Sequence, residues 1–136
     1  MKKVNFKDIC EEFGGKYVNE NLCLVDGYPM ALKEASYLFN FKPYSQERVT
    51  MSPSKFLSIV PQIALDREKI EELKKKIRNK EPLDPLFIDI IHSSGRVINH
   101  EGRHRAEASL ELGIKKVPVI IFHRNEDYDF VAIRKP

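Results

Sequence analysis

His100, Glu101, Arg103, His104 and Arg105 crowd around one glycine, Gly102. Glycine lets a backbone approach a ligand closely. The guanidinium groups of Arg103 and Arg105 match phosphate oxygens in paired contacts. His104 can donate to a phosphate or move a proton near neutral pH. Glu101 can orient water or a hydroxyl, or share a magnesium ion with phosphates, and His100 would place Glu101. The expectation is a phosphate site at Gly102, Arg103, His104 and Arg105, with Glu101, His104 and His100 as the catalytic candidates. The same residues also spell H-E-x-x-H, the zinc peptidase pattern. That chemistry needs one continuous helix to bring both histidines to the metal. Here a strand pattern runs into the motif, Gly102 interrupts it, Arg103 would set a cation beside zinc, and nothing marks His123 as a third ligand. A structural reading pairs Arg103 with Glu107 and Arg105 with an acidic loop. Such surface pairs contribute about 0–1 kcal/mol, and they account for one cation rather than three and a glycine.

The elements around these residues sharpen the phosphate reading. Arg96-Val97-Ile98-Asn99 reads as a strand, and a helix follows from the arginines to Leu112, where Gly113 stops it. A helix start carries about half a positive charge and favours anions by about 0.3–1 kcal/mol each. Cations there lack a partner unless an anion binds among them, and free backbone N–H groups already point outward. The helix is expected to bury Ala106, Leu110 and Ser109 and to expose Glu107 and Glu111. Leu86–Ile91, after Pro82 and Pro85, is a nearly continuous apolar run and so a buried strand. His92-Ser93-Ser94-Gly95 turns the chain, and Val117–Phe122 reads as a strand after the helix. Ligands of open α/β sheets gather at strand carboxyl ends.

Upstream, Ser52-Pro53 starts a short helix with Phe56, Leu57 and Val60 inward. Asp66 caps a longer one over residues 67–79, striped by Ile70, Leu73 and Ile77; its lysine run reads as a solvated face. Phe6, Ile9, Cys10 and Phe13 predict a helix over 5–13. Residues 16–32 read as two strands around Asp26-Gly27, with Pro29 confining the second to an edge. Lys33–Arg48 resists assignment: Tyr37, Phe39, Phe41 and Tyr44 sit among Lys33, Lys42 and Arg48 and read as packing before base stacking. Phe130, Val131 and Ile133 read as a further strand or a docked tail.

At 136 residues the chain suits one domain, divided here into an N-terminal extension (1–50), a core (51–122) and a C-terminal tail (123–136). A net charge of +3 is compatible with a nucleotide or nucleic-acid partner. No apolar run approaches the roughly 18 residues of a membrane span, and the N-terminus lacks the apolar core of a signal peptide. A cytoplasmic location is expected. Cys10 and Cys23, without CxxC spacing, are then expected to be buried free thiols.

Three segments in order resemble the ParB/sulfiredoxin-like superfamily over about residues 51–122. Leu65-Asp66-Arg67-Glu68-Lys69-Ile70-Glu71-Glu72-Leu73 is similar to its helix before the first core strand. Pro85-Leu86-Phe87-Ile88-Asp89 is similar to its proline-led strand. Gly102-Arg103-His104-Arg105-Ala106, followed by Leu112-Gly113 and Val117-Pro118-Val119, resembles its G-x-x-R phosphate motif with the trailing helix and strand. The resemblance implies an α/β (α+β) fold, a small mixed sheet packed with helices, here with an N-terminal helix-hairpin extension. It also implies a nucleotide site: the motif holds CTP in partition proteins, ATP in sulfiredoxin and an adenine nucleotide in free serine kinases, and other relatives are nucleases. Arg103 stands where sulfiredoxin has its catalytic cysteine, which argues against sulfinic-acid reduction. The resulting expectation is a protein binding ATP or CTP with Mg²⁺, carrying out NTP hydrolysis, phosphoryl transfer or phosphodiester cleavage. The alternative is a non-catalytic DNA-binding or regulatory module of a phage or mobile element. The expected partners are a nucleotide or DNA and a second copy of the chain, with no membrane.

Overall fold

Four helices and seven strands are formed by residues 5–33 and 45–124, the parts of the chain that the computed structural model describes. Helix α1 (Phe6–Glu12) starts where the Asn5 side chain accepts the Lys7 amide at 2.8 Å. It leads into a three-stranded antiparallel sheet of β1 (Lys16–Asn19), β2 (Leu22–Val25) and β3 (Tyr28–Met30), in that order. Asp26 and Gly27 turn the hairpin with φ of 49° and 89°, the pair of positive values that a tight two-residue turn requires. β3 is an edge strand, as Pro29 demands. The two strands read over residues 16–32 are therefore three.

One expectation is overturned here. Cys10 and Cys23 are not free thiols but a disulfide. α1 packs on β2 and brings together two sulfurs that lie 13 residues apart in sequence, a proximity that spacing alone does not reveal.

The second sheet has the order β4-β7-β5-β6, made of β4 (Ser45–Met51), β5 (Leu86–Ile91), β6 (Val97–Glu101) and β7 (Val117–Arg124). β5 and β7 run parallel, and both outer pairs are antiparallel. β4 comes partly from the unassigned stretch and partly from the start of the expected core. It pairs with β7 along its whole length, from Ser45 opposite His123 to Met51 opposite Val117. The core sheet thus reaches upstream of residue 51. The aromatics Tyr37, Phe39, Phe41 and Tyr44, and the tail residues Phe130, Val131 and Ile133, lie outside the described residues.

Three further helices cover this sheet. α2 (Pro53–Ile59) has Ser52 as its cap, accepting the Lys55 amide at 3.1 Å. α3 (Arg67–Arg78) starts at Asp66, which accepts the Glu68 amide at 3.0 Å, and buries Ile70, Leu73 and Ile77. α4 (Arg103–Glu111) packs against both. Its buried residues are Ala106, Ala108 and Ser109 as well as Arg103, whereas Leu110, expected inside, is 40% exposed. Small side chains let α4 sit close to its neighbours, and that contact displaces the buried stripe from the one the leucines mark. Among the described residues, no helix is long and apolar enough to cross a membrane.

A single apolar cluster joins the two sheets, running from Ile9, Tyr28 and Met30 to Phe56, Ile70, Leu86 and Ile120. Polar contacts pin the N-terminal segment to the core. Asp26 accepts the Lys115 and Lys116 amides at 2.9 and 3.0 Å, and the Tyr28 hydroxyl donates to the Asp84 carbonyl at 2.5 Å.

Candidate functional site

The residues from His100 to Arg105 lie where β6 ends and α4 begins. Gly102 is the N-cap of α4, with φ 121° and no side-chain cap hydrogen bond. A Cβ at this position would meet Leu86 Cγ at 2.5 Å, so glycine is required for both conformation and space. The Ala106 amide is the first to close a helical bond, onto the Gly102 carbonyl at 2.8 Å. The amides of residues 103–105 precede that ladder, as the opening amides of any helix do.

The side chains at this helix start are largely engaged by the protein itself. Arg103 is buried, 7% exposed, and its guanidinium donates to the carbonyls of Pro61 at 3.2 Å and Leu57 at 3.5 Å. It therefore sits at the carboxyl end of α2, where the helix dipole favours a cation. His104 Nε2 accepts the Asp66 amide at 3.0 Å, so the neutral ring carries its proton on Nδ1. Arg105 donates to the Pro85 carbonyl at 3.2 Å and has Glu101 at 3.8 Å. Its charge also acts on Tyr28, a residue that no motif marked. Burial pushes the Tyr28 phenol up to about 12, while Arg105 works in the opposite direction. The Nε atoms of both Arg103 and Arg105 are buried without a hydrogen-bond partner.

Glu101 is the exposed member of the group, with 63% of its side chain accessible. It could serve as one carboxylate for a magnesium ion shared with phosphates, the usual mode for that ion. A metal cage built from protein ligands is another matter: among the described residues, no group of three or more His, Cys, Asp or Glu is placed to hold an ion. β6 carries His100 opposite Ile88 of β5, and α4 begins only at Arg103. His100 and His104 therefore do not share a helix, and the zinc peptidase arrangement is not formed.

The opposite end of the sheet holds a second polar group, which sequence reasoning missed. His92 Nδ1 and His123 Nδ1 are 3.4 Å apart, and His123 Nε2 lies 2.9 Å from Glu47 Oε1. Asp89 and Arg124 pair at 3.2 Å nearby. No sequence signal joined these residues, because Glu47, Asp89, His92 and the His123-Arg124 pair come from different strands or turns.

The ParB N-terminal domain family matches residues 42–133. Similar solved structures include two ParB N-domains. A Pnob8-like ParB-N domain in its C2221 form is 20% identical, with a TM-score of 0.40 over 65% of this chain and 34% of that one. A pNOB8-like ParB N-domain is also 20% identical, with a TM-score of 0.38 over 66% and 32%. The chain thus spans about a third of the length of each. No curated protein matches it.

Proposed function

Because the chain belongs to the ParB N-terminal domain family, we propose that it binds a nucleoside triphosphate, with the phosphates at the first turn of α4. The observation that carries this reading is Gly102. It opens α4 with no capping side chain, so the first-turn amides have no side-chain acceptor from the residue that precedes them. Arg105 flanks this turn with an unused buried Nε, and Arg103 lies at the same turn with its own Nε unused. An anion at a helix start meets both the amides and the positive end of the dipole.

The side chains divide by role. Arg105 is the phosphate-gripping guanidinium, and Glu101 is the carboxylate available to an accompanying Mg²⁺ ion. His104 can donate from Nδ1 to a phosphate oxygen. It cannot take a proton at Nε2 without releasing Asp66, which makes Glu101 the better base if the nucleotide is hydrolysed. His100 is retained as the residue behind Glu101 on β6. Arg103 contributes its backbone amide more than its guanidinium, which α2 already holds.

Calorimetric titration with CTP and ATP, with and without Mg²⁺, tests the proposal. Saturable binding that Arg105→Ala abolishes, with the fold retained, is the expected result. Binding of DNA with a steep salt dependence and indifference to free nucleotides would favour a phosphate-backbone binder instead. Absence of both would overturn the site.

A further inference from the structure

The pair His92 and His123, at the sheet end remote from Gly102, has the geometry of a metal-binding couple. β5 ends at Ile91 and β7 at Arg124, running parallel. The His92 amide donates to the Arg124 carbonyl at 2.8 Å, continuing the ladder past the end of β5. The backbone thus sets how far apart the two imidazoles stand. Their Nδ1 atoms are 3.4 Å apart, with rings near perpendicular at 80°. Two imidazole nitrogens bound at about 2.0–2.1 Å to one tetrahedral ion stand about 3.3 Å apart.

Glu47 supplies an independent argument. Its carboxylate can only accept, so at 2.9 Å it fixes the proton of His123 on Nε2 and leaves Nδ1 with its lone pair. A carboxylate behind a ligating imidazole is the usual orienting partner at metal sites. The adjacent Arg124 does not oppose this arrangement. Arg124 follows His123 on β7, so alternation sends its side chain to the other face, where it pairs with Asp89 at 3.2 Å. His92 itself is exposed on its turn, which leaves room for water or an exogenous ligand to complete the coordination.

We propose that His92 and His123 bind a divalent transition ion of the Zn²⁺ or Ni²⁺ class through their Nδ1 atoms, with Glu47 orienting His123. Two imidazoles select such ions over Mg²⁺, which takes oxygen ligands. The ion would join the ends of β5 and β7 and, through Glu47, β4.

The test is calorimetric titration of the untagged chain with Zn²⁺, Ni²⁺ and Mg²⁺, followed by ring-nitrogen NMR of the histidines. One equivalent of Zn²⁺ or Ni²⁺ should bind, and Mg²⁺ should not bind at these residues. The His92 and His123 ring signals should shift with the metal. His92→Ala and His123→Ala should each weaken binding at least about ten-fold, and Glu47→Ala by about 10–100-fold, the range for an orienting carboxylate. Circular dichroism checks that each variant folds, and His92→Gln replaces any alanine variant that does not. Absence of Zn²⁺ and Ni²⁺ binding overturns the proposal. So does binding that survives both histidine changes, or that is abolished instead by His100→Ala or His104→Ala. The Mg²⁺ and nucleotide titrations report separately on the α4 site.

Discussion

The imidazole of His104 holds the backbone of Asp66: Nε2 accepts the Asp66 amide at 3.0 Å. A residue in the first turn of α4 thereby anchors the residue that caps α3. The helix start that would receive phosphate is built into the packing of two helices.

Replacing His104 with alanine leaves that amide to solvent. The expected loss is at the low end of about 0.5–1.5 kcal/mol, the net worth of one hydrogen bond, read as a shift in the urea midpoint. An unchanged midpoint would show that the contact contributes nothing to stability.

Gly102→Ala introduces two costs. A non-glycine residue at φ 121° is strained by about 1–3 kcal/mol, and the new Cβ meets Leu86 at 2.5 Å, adding crowding of about 1–3 kcal/mol. Denaturant unfolding should show a loss of several kcal/mol. A loss below about 1 kcal/mol would mean that the junction relaxes around the methyl group, against both expectations.

Tyr28 should titrate late. Burial raises its phenol to about 12, so the folded state favours the neutral form. The stability this gives is fully present below the ordinary value of 10.0 and is lost as pH rises through about 12. Ultraviolet titration of tyrosinate, compared with Tyr28→Phe, should reveal one late-ionising group whose transition coincides with alkaline unfolding. If the Tyr28→Phe variant titrates identically to the parent, Tyr28 is not that group.

Glu111 shows the opposite sign. Hydrogen bonding from Arg67 lowers its carboxyl to about 2, and Lys74 adds to the effect at 3.2 Å. Arg67 also lowers Glu71. This contribution is present above the ordinary value of 4.5 and is lost as pH falls through about 2. Thermal midpoints of the parent should fall over that acid range more steeply than those of Glu111→Gln. Salt should shrink the difference, since these groups are exposed and screened. Parallel curves for the two proteins would remove Glu111 from acid unfolding.

Local chemistry was legible wherever a residue acts on its own neighbours. Ser52, Asp66 and Gly113 marked helix ends, Asp26-Gly27 marked a turn, and the apolar run Leu86–Ile91 marked a buried strand. The G-x-x-R motif located the β6–α4 junction. Less of the site itself was legible, because it depends on what the chain brings to each cation. The cations at this helix start find partners within the chain itself. Arg103 meets the end of α2, His104 meets Asp66, and Arg105 meets Pro85 and Tyr28.

The contrast between the two sheets states the division. By itself the sequence determined where elements begin and end, because capping, glycine conformation and apolar periodicity act within a few residues. It also determined that a glycine and two arginines would meet a helix start. Only the tertiary structure decided that Cys10 would join Cys23, that Ser45–Met51 would become an edge strand on β7, and that His92, His123 and Glu47 would converge. Each of these depends on strand pairing or helix docking between segments distant in the chain, and the energy of such contacts resides in the packed whole rather than in any local stretch.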